Sequence, residues 1–293
     1  MVMEKFHVEQ LTIIGVGLIG GSVASRLKRD GSVGKVVGVG RSIQNMSFAL
    51  QAGLIDEVAT DIQSAVKNAS MVLVAVPVKQ VESVLHEIKL SANSSAIITD
   101  VGSTKGDFKR MVEEIIPERA GFVVPGHPIA GSEKTGASAA DANLFLEKNV
   151  VLCPLSQTLP AALSAVSDLW QSCGAHVSTM SEEKHDIIFS AVSHLPHVVS
   201  YALVEMMNRR SDSAELFDFA AGGFRDFSRI AGSSAEMWAD ICRANHEHII
   251  NDVDSFIASL ETIRELLHLG NYGELQEIFA AAAVARNNWA AKQ

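Results

Sequence analysis

Over its first two thirds the chain alternates short apolar runs with stretches of helical periodicity. Residues 11–15 (LTIIG), 35–39 (KVVGV), 71–76 and 96–101 (AIITDV) read as strands, with helices predicted over 22–29, 46–52, 81–89 and 108–116, the last ended by Pro117. Residues 71–76 are almost all apolar, the pattern of a strand covered on both faces in a parallel sheet. Shorter strands are predicted at 58–60, 122–124, 150–153 and 176–180, with a helix over 161–173. This rhythm predicts a doubly wound α/β domain. The pattern changes after Met180. Ser181 is an expected N-cap ahead of Glu182, and no strand is predicted beyond it. Ile249, Val253, Phe256, Leu260, Ile263 and Leu267 recur at three- and four-residue steps, one apolar stripe along a long helix. Gly270 ends that helix, and a last one follows over 274–289. The predicted division is 1–180, α/β, and 181–293, all helical. Helices alone offer few layers to cover such a stripe, so a second copy of the chain is expected against it.

Composition narrows the class. Of 293 residues, 47% are apolar and 20% charged, as in an ordinary globular core. Apolar runs such as 71–78 and 278–285 are too short to cross a bilayer. The N-terminus lacks the apolar stretch of a secretory signal. Three cysteines without C-x-x-C spacing argue against a disulfide framework, and a cytoplasmic location is expected. A net charge of −10 argues against nucleic acid or anionic membrane as partner, so an anionic substrate would need a local basic pocket.

The candidate chemistry starts at Gly15-Val16-Gly17-Leu18-Ile19-Gly20, between the first strand and first helix. In that context the glycines permit a tight turn, close approach to a pyrophosphate and close helix–strand packing. The amides of Leu18, Ile19 and Gly20 at the helix start would receive the phosphates. The second strand ends Val39-Gly40-Arg41-Ser42, with no carboxylate for a ribose 2′-hydroxyl. Room at Gly40, the Arg41 guanidinium and the Ser42 hydroxyl suit a 2′-phosphate, so NADP is favoured over NAD. The alternative is that Arg41 stacks on adenine or points to solvent.

Three further segments combine polar residues with loop glycines or prolines: 100–105 (DVGSTK), 127–133 (HPIAGSE) and 193–197 (SHLPH). The first two follow strands, where open α/β sheets bind ligands. In ideal helix geometry Asp186, Ser190, Ser193 and His197 share one face. Gly222-Gly223-Phe224-Arg225-Asp226-Phe227-Ser228-Arg229 adds two arginines. Each segment also has a structural reading: His127 as a helix cap or turn residue, His197 as a hydrogen-bonded core histidine, Arg225 and Arg229 ion-paired with Asp226 or Asp218. The histidine spacings lack a zinc signature, and no metal is expected.

Taken together, GVGLIGGS (15–22), AVP (75–77), DVGSTK, HPIAGSEKTG (127–136), SHLPH and GGFRDFSRIA with MW (222–231, 237–238) resemble the prephenate/arogenate dehydrogenase family over nearly the whole chain. The resemblance implies a Rossmann-type domain followed by an all-helical dimerisation domain, and NAD(P)-linked oxidative decarboxylation of a cyclohexadienol in tyrosine biosynthesis. It implies that His127 accepts the proton of the substrate hydroxyl, with Ser103 supporting His127 or that hydroxyl. Arg229 would hold the ring carboxylate and His197 would orient the substrate. Glu133, Gly222 and Trp238 would border the side-chain end, and Val76 would lie against the cofactor. Asp186 and Glu133 are candidates to pair with the ammonium of arogenate. A homodimer is implied; neither a regulatory ACT domain nor a fused chorismate mutase is expected. The rivals are another dehydrogenase of similar plan, such as a β-hydroxyacid dehydrogenase with a helical-domain lysine (Lys184 alone is suitably placed), and a non-enzymatic dinucleotide sensor.

Overall fold

The computed structural model describes residues 6–132 and 134–292. Glu133 therefore lies outside the described residues. Among these residues, six strands form a parallel sheet: β1 (Val8–Ile14), β2 (Val33–Val39), β3 (Glu57–Val58), β4 (Met71–Val74), β5 (Ile97–Asp100) and β6 (Val123–Val124). Their spatial order is β3-β2-β1-β4-β5-β6, and every neighbouring pair is parallel. This is the order of a dinucleotide-binding doubly wound sheet, with its reversal between β1 and β4.

The apolar pattern has a direct physical cause. In β4, Met71 and Leu73 enter the core on one face of the sheet, while Val72 and Val74 enter the core on the other. Helices cover both faces, so both members of the two-residue repeat must be apolar. Thr12 of β1 is fully buried yet satisfied, donating to the Ala65 carbonyl at 2.7 Å.

A second sheet was not expected. After β6 the chain passes Pro125 and forms β7 (Gly126–Pro128), which pairs antiparallel with β8 (Asn149–Leu152); β8 pairs parallel with β9 (His176–Thr179). His127 is thus a strand residue opposite Val151, not a turn residue.

Ser181 caps the next helix, Glu182–Phe189, accepting from the Lys184 amide at 3.2 Å. A π-helical turn at Ser190–His194 follows, then the helix Leu195–Asn208. Pro196 lacks the N–H that an α-ladder would direct at Val192, which accounts for the widened turn. The resulting run Glu182–Asn208 is long and apolar enough, by length and composition, to cross a membrane, a length the short apolar runs of the sequence do not reveal. No strand follows Thr179 among the described residues.

By compactness the chain divides into residues 1–246 and 247–293. The second unit is a pair of helices, His246–Leu269 and Tyr272–Ala290, joined by Gly270 at φ +65°. Within it Ile249, Leu266 and Leu275 are buried, while Leu260 and Leu267 of the predicted stripe are about half exposed, at 49% and 52%.

Candidate active site

The glycine loop lies at the carboxyl end of β1, at the reversal point of the sheet. Gly15 has φ +97°, and a Cβ there would stand 2.3 Å from the Ala75 carbonyl oxygen. A Cβ on Gly20 would stand 2.7 Å from Ile13 Cγ2, so the first helix, Leu18–Arg29, can approach β1 only with glycine there. At Gly17 a Cβ would meet nothing within 4 Å: the backbone faces open space. The first backbone bond of the helix runs from the Gly21 amide to Gly17 O, so the amides of Leu18, Ile19 and Gly20 precede the ladder. No acidic residue stands in that first turn. A cradle of this kind fits a pyrophosphate.

A cleft of about 1010 Å³ opens beside it, lined among others by Gly15, Gly17, Arg41, Ser42, Val76 and Asp61. Asn45 ties its walls together, donating to Val16 O at 2.7 Å and accepting from the Ala137 amide at 2.7 Å. One detail differs from the sequence reading. A Cβ on Gly40 would stand 2.8 Å from the buried Met46 sulfur, so the space beside Gly40 is filled by Met46 and is not free for a ligand. Ser42 Oγ caps the helix Ile43–Gln51, accepting from the Asn45 amide at 3.2 Å, and its O–H can still donate. Arg41 is exposed at the rim. Asp61, a carboxylate in the same cleft, escaped the sequence reading because it caps its own short helix, Ile62–Val66, through Oδ1 and the Ser64 amide.

Behind the cleft, β5 ends in Asp100. Its carboxylate accepts from the amides of Gly102 (2.8 Å) and Gly126 (3.0 Å) and pairs with Lys105; Lys105 Nζ also donates to Gly126 O at 2.8 Å. Lys105 is fully buried. The polar ends of the DVGSTK segment therefore lock the β5 loop to β7, and Ser103 remains half-buried between them.

His127 projects from the locked strand. Its Nδ1 lies 2.9 Å from Nε2 of His185. His185 Nδ1 lies 2.8 Å from Asp186 Oδ1, and Asp186 accepts further from the amides of Lys105 (2.9 Å) and Gly106 (2.8 Å). Phe189 packs against both imidazoles, with ring centroids 4.8 and 4.4 Å away. Burial first, then the charges of His185, Lys105 and His194, hold the His127 pKa well below 6.5. Burial also lowers that of His185, against the pull of Asp186. Burial works against the Asp186 charge, but His185 and the two amides outweigh it, and its carboxyl titrates below the usual range.

Several expectations are corrected here. Of the two partners expected for Ser103, His127 receives no hydrogen bond from it among the described residues, since His127 Nδ1 faces His185; the substrate hydroxyl stays the partner that the resemblance implies. Asp186 is buried with both oxygens engaged, so it is not free for a substrate ammonium. The π turn breaks the face that Asp186 and His197 would share in an ideal helix. His185 went unnoticed because its role depends on a strand far away in sequence. The adjacent His-Asp pair just inside a helix start was the one visible sign.

The rest of the constellation lies on the helical elements of the same unit. Asn245 donates to Asp186 O (2.8 Å) and lies 3.1 Å from His194 Nδ1. Trp238, buried, stacks on His197 at 3.6 Å between centroids and 20° between planes. His197 Nδ1 lies 2.9 Å from Ser193 O; a carbonyl only accepts, so Nδ1 carries the proton and Nε2 is left to accept. Burial lowers the His197 pKa, Ser193 opposes this, and the positive charge of Arg229 lowers it further. Neither Arg229 nor Arg225 is ion-paired among the described residues. Gly222 opens the helix Gly222–Ser228, with open space around it. Lys184, which a hydroxyacid-dehydrogenase plan would need inside, is exposed.

Residues 23–179 match the model of the prephenate dehydrogenase nucleotide-binding domain, and residues 181–281 that of the prephenate dehydrogenase dimerization domain. The chain is 36% identical to a prephenate dehydrogenase of Bacillus subtilis over 97% of its own length and 77% of that relative's. It is 33% identical to a cyclohexadienyl dehydrogenase of Zymomonas mobilis over 95% of each. The crystal structure of prephenate dehydrogenase from A. aeolicus with hydroxyphenyl propionate and NAD+ superposes with a TM-score of 0.90, at 34% identity, over 97% of this chain and 99% of that one. With a dinucleotide cradle on β1, a buffered histidine on β7 and both family domains matched, the chain belongs to the prephenate dehydrogenase family.

Proposed function

We propose that the protein oxidatively decarboxylates prephenate, arogenate or both, the step toward tyrosine, with His127 as proton acceptor. The observation that carries this reading is an imidazole whose buried-side Nδ1 is held 2.9 Å from His185, on the strand tied through Gly126 to Asp100 at the carboxyl end of β5. The substrate ring bears a hydroxyl at C4 and a carboxylate at C1. When bound, the nicotinamide ring accepts the hydride from C4. His127 takes the hydroxyl proton. The C1–carboxylate bond breaks, CO2 departs, and the electron pair moves into a ring that becomes aromatic. The proton held by His127 can then return to the phenolate oxygen. Arg229 pairs with the ring carboxylate, where a planar fork suits a planar anion. His197, its ring held against Trp238 with Nε2 open, orients the substrate, and Gly222 borders its side chain. NADP is the preferred cofactor on this reading, supported by the exposed Arg41 and the lack of a carboxylate at Gly40.

Activity measured with each substrate against each cofactor tests the reaction and the preference together. His127→Asn keeps a hydrogen bond to the hydroxyl but removes the base. It should lower kcat by about 10²–10⁴-fold with KM little changed. Because the His127 pKa lies below 6.5, the neutral, active form persists on acidification. The acid limb of kcat/KM should therefore fall well under pH 6.5 and report the free enzyme. Near-normal kcat in His127→Asn removes His127 from the reaction.

A further inference from the structure

The hydrogen bonds behind His127 admit one arrangement of protons. The amides of Lys105 and Gly106 can only donate to Asp186, and the Asp186 carboxylate, ionised, can only accept. His185 Nδ1 must then carry a proton and give it to Asp186 Oδ1. Since burial keeps His185 neutral, its Nε2 is a bare acceptor. The His127 nitrogen 2.9 Å away must therefore be the donor.

We propose that His185 is a positioning residue: anchored by Asp186, it accepts the Nδ1–H of His127, keeps that proton on Nδ1, and leaves Nε2 of His127 bare toward the reacting hydroxyl. This rests on the reading of His127 as the base. A histidine with its proton on Nε2 would present a donor to the substrate hydroxyl and could not take its proton. The anchor is stiff. Asp186 caps the helix Gly106–Ile115, whose N-cap residue Lys105 offers no side-chain cap, and Asn245 holds the Asp186 carbonyl. Phe189 fixes both ring planes.

The test uses the full-length enzyme labelled with ¹⁵N at histidine. Of ten histidines, His127 is identified by the signal lost in His127→Asn. In the wild type the expected spectrum shows His127 protonated at Nδ1 and bare at Nε2. His185→Phe keeps the shape and removes the acceptor. It should shift the His127 proton toward Nε2 and lower kcat about 10–100-fold, the range measured for partners that orient imidazoles at metal sites, with substrate KM within about twofold. His185→Gln returns a carbonyl acceptor and should recover most of the activity. In the His127→Asn background, His185→Phe should cost less than about twofold more, because its effect passes through His127. A folded His185→Phe enzyme with wild-type kcat overturns the proposal. So does a wild-type His127 protonated at Nε2, an outcome readable even if His185→Phe fails to fold. Should His127→Asn stay active, the assignment of the base falls instead, while the spectrum still decides the tautomer.

Discussion

Arg229 and His197 show how one charge can serve two purposes. Arg229 makes no ion pair among the described residues; burial lowers the His197 pKa, and the Arg229 charge adds to that as a lesser cause. Arg229→Ala should raise the substrate KM by about tenfold or more, since a charge-assisted contact is lost, and leave the cofactor KM unchanged. The same change should move the His197 pKa upward, toward 6.5, which an NMR titration of the unliganded protein would detect. An unchanged substrate KM would make Arg229 structural and turn attention to Arg225. At this scale the sequence reading named His127, His197, Arg229 and Trp238 through contiguous motifs that resemble a family, HPIAGSE, SHLPH, GGFRDFSRIA and MW. It missed His185, whose partner is 58 residues away.

Elements decide what such residues can reach. An unbroken helix would place Asp186 and His197 on one face. The π turn at Ser190–His194 puts an extra residue into the turn, and Asp186 ends as the cap of a neighbouring helix while His197 ends against Trp238. At the end of β2, geometry similarly limits how cofactor choice can be altered. Arg41 is exposed and replaceable, and Arg41→Ala should lower kcat/KM with NADP by about tenfold or more while changing that with NAD by less than about twofold. Gly40→Asp should mainly destabilise the protein, because its Cβ would press on the buried Met46 sulfur, 2.8 Å from where it would stand. A native preference for NAD would indicate that Arg41 stacks on adenine and that Asp61, in the same cleft, is the carboxylate to test next.

For the molecule as a whole, the unanswered surface is the helical hairpin of the second unit. Ile250, Ile257, Leu260, Leu267, Phe279 and Trp289 are all exposed on it in a single chain. Apolar area of that extent is normally covered in a stable protein. We expect a two-fold homodimer through these helices, as the dimerization-domain match also indicates. Light scattering should give twice the 31.4 kDa chain mass. Leu260→Glu with Leu267→Glu should yield monomers that retain secondary structure. A wild-type monomer at micromolar concentration with full activity would refute the dimer.

The sequence by itself determined the alternation of strands and helices in the doubly wound sheet, the change to helices after Met180, the dinucleotide cradle and the family. These features follow from local rules: a two-residue repeat buried on both faces, glycines that a tight turn requires, and motifs that remain contiguous along the chain. Only the tertiary structure decided the second sheet that turns His127 into a strand residue, the lock between Asp100, Lys105 and Gly126, and the line from Asp186 through His185 to His127. It also decided that Asp186 is an anchor and not a substrate contact, and that Met46 occupies the space at Gly40. Each of these depends on groups brought together from distant positions, at distances near 3 Å where hydrogen bonding and van der Waals contact operate. No periodicity along a single chain encodes such a meeting.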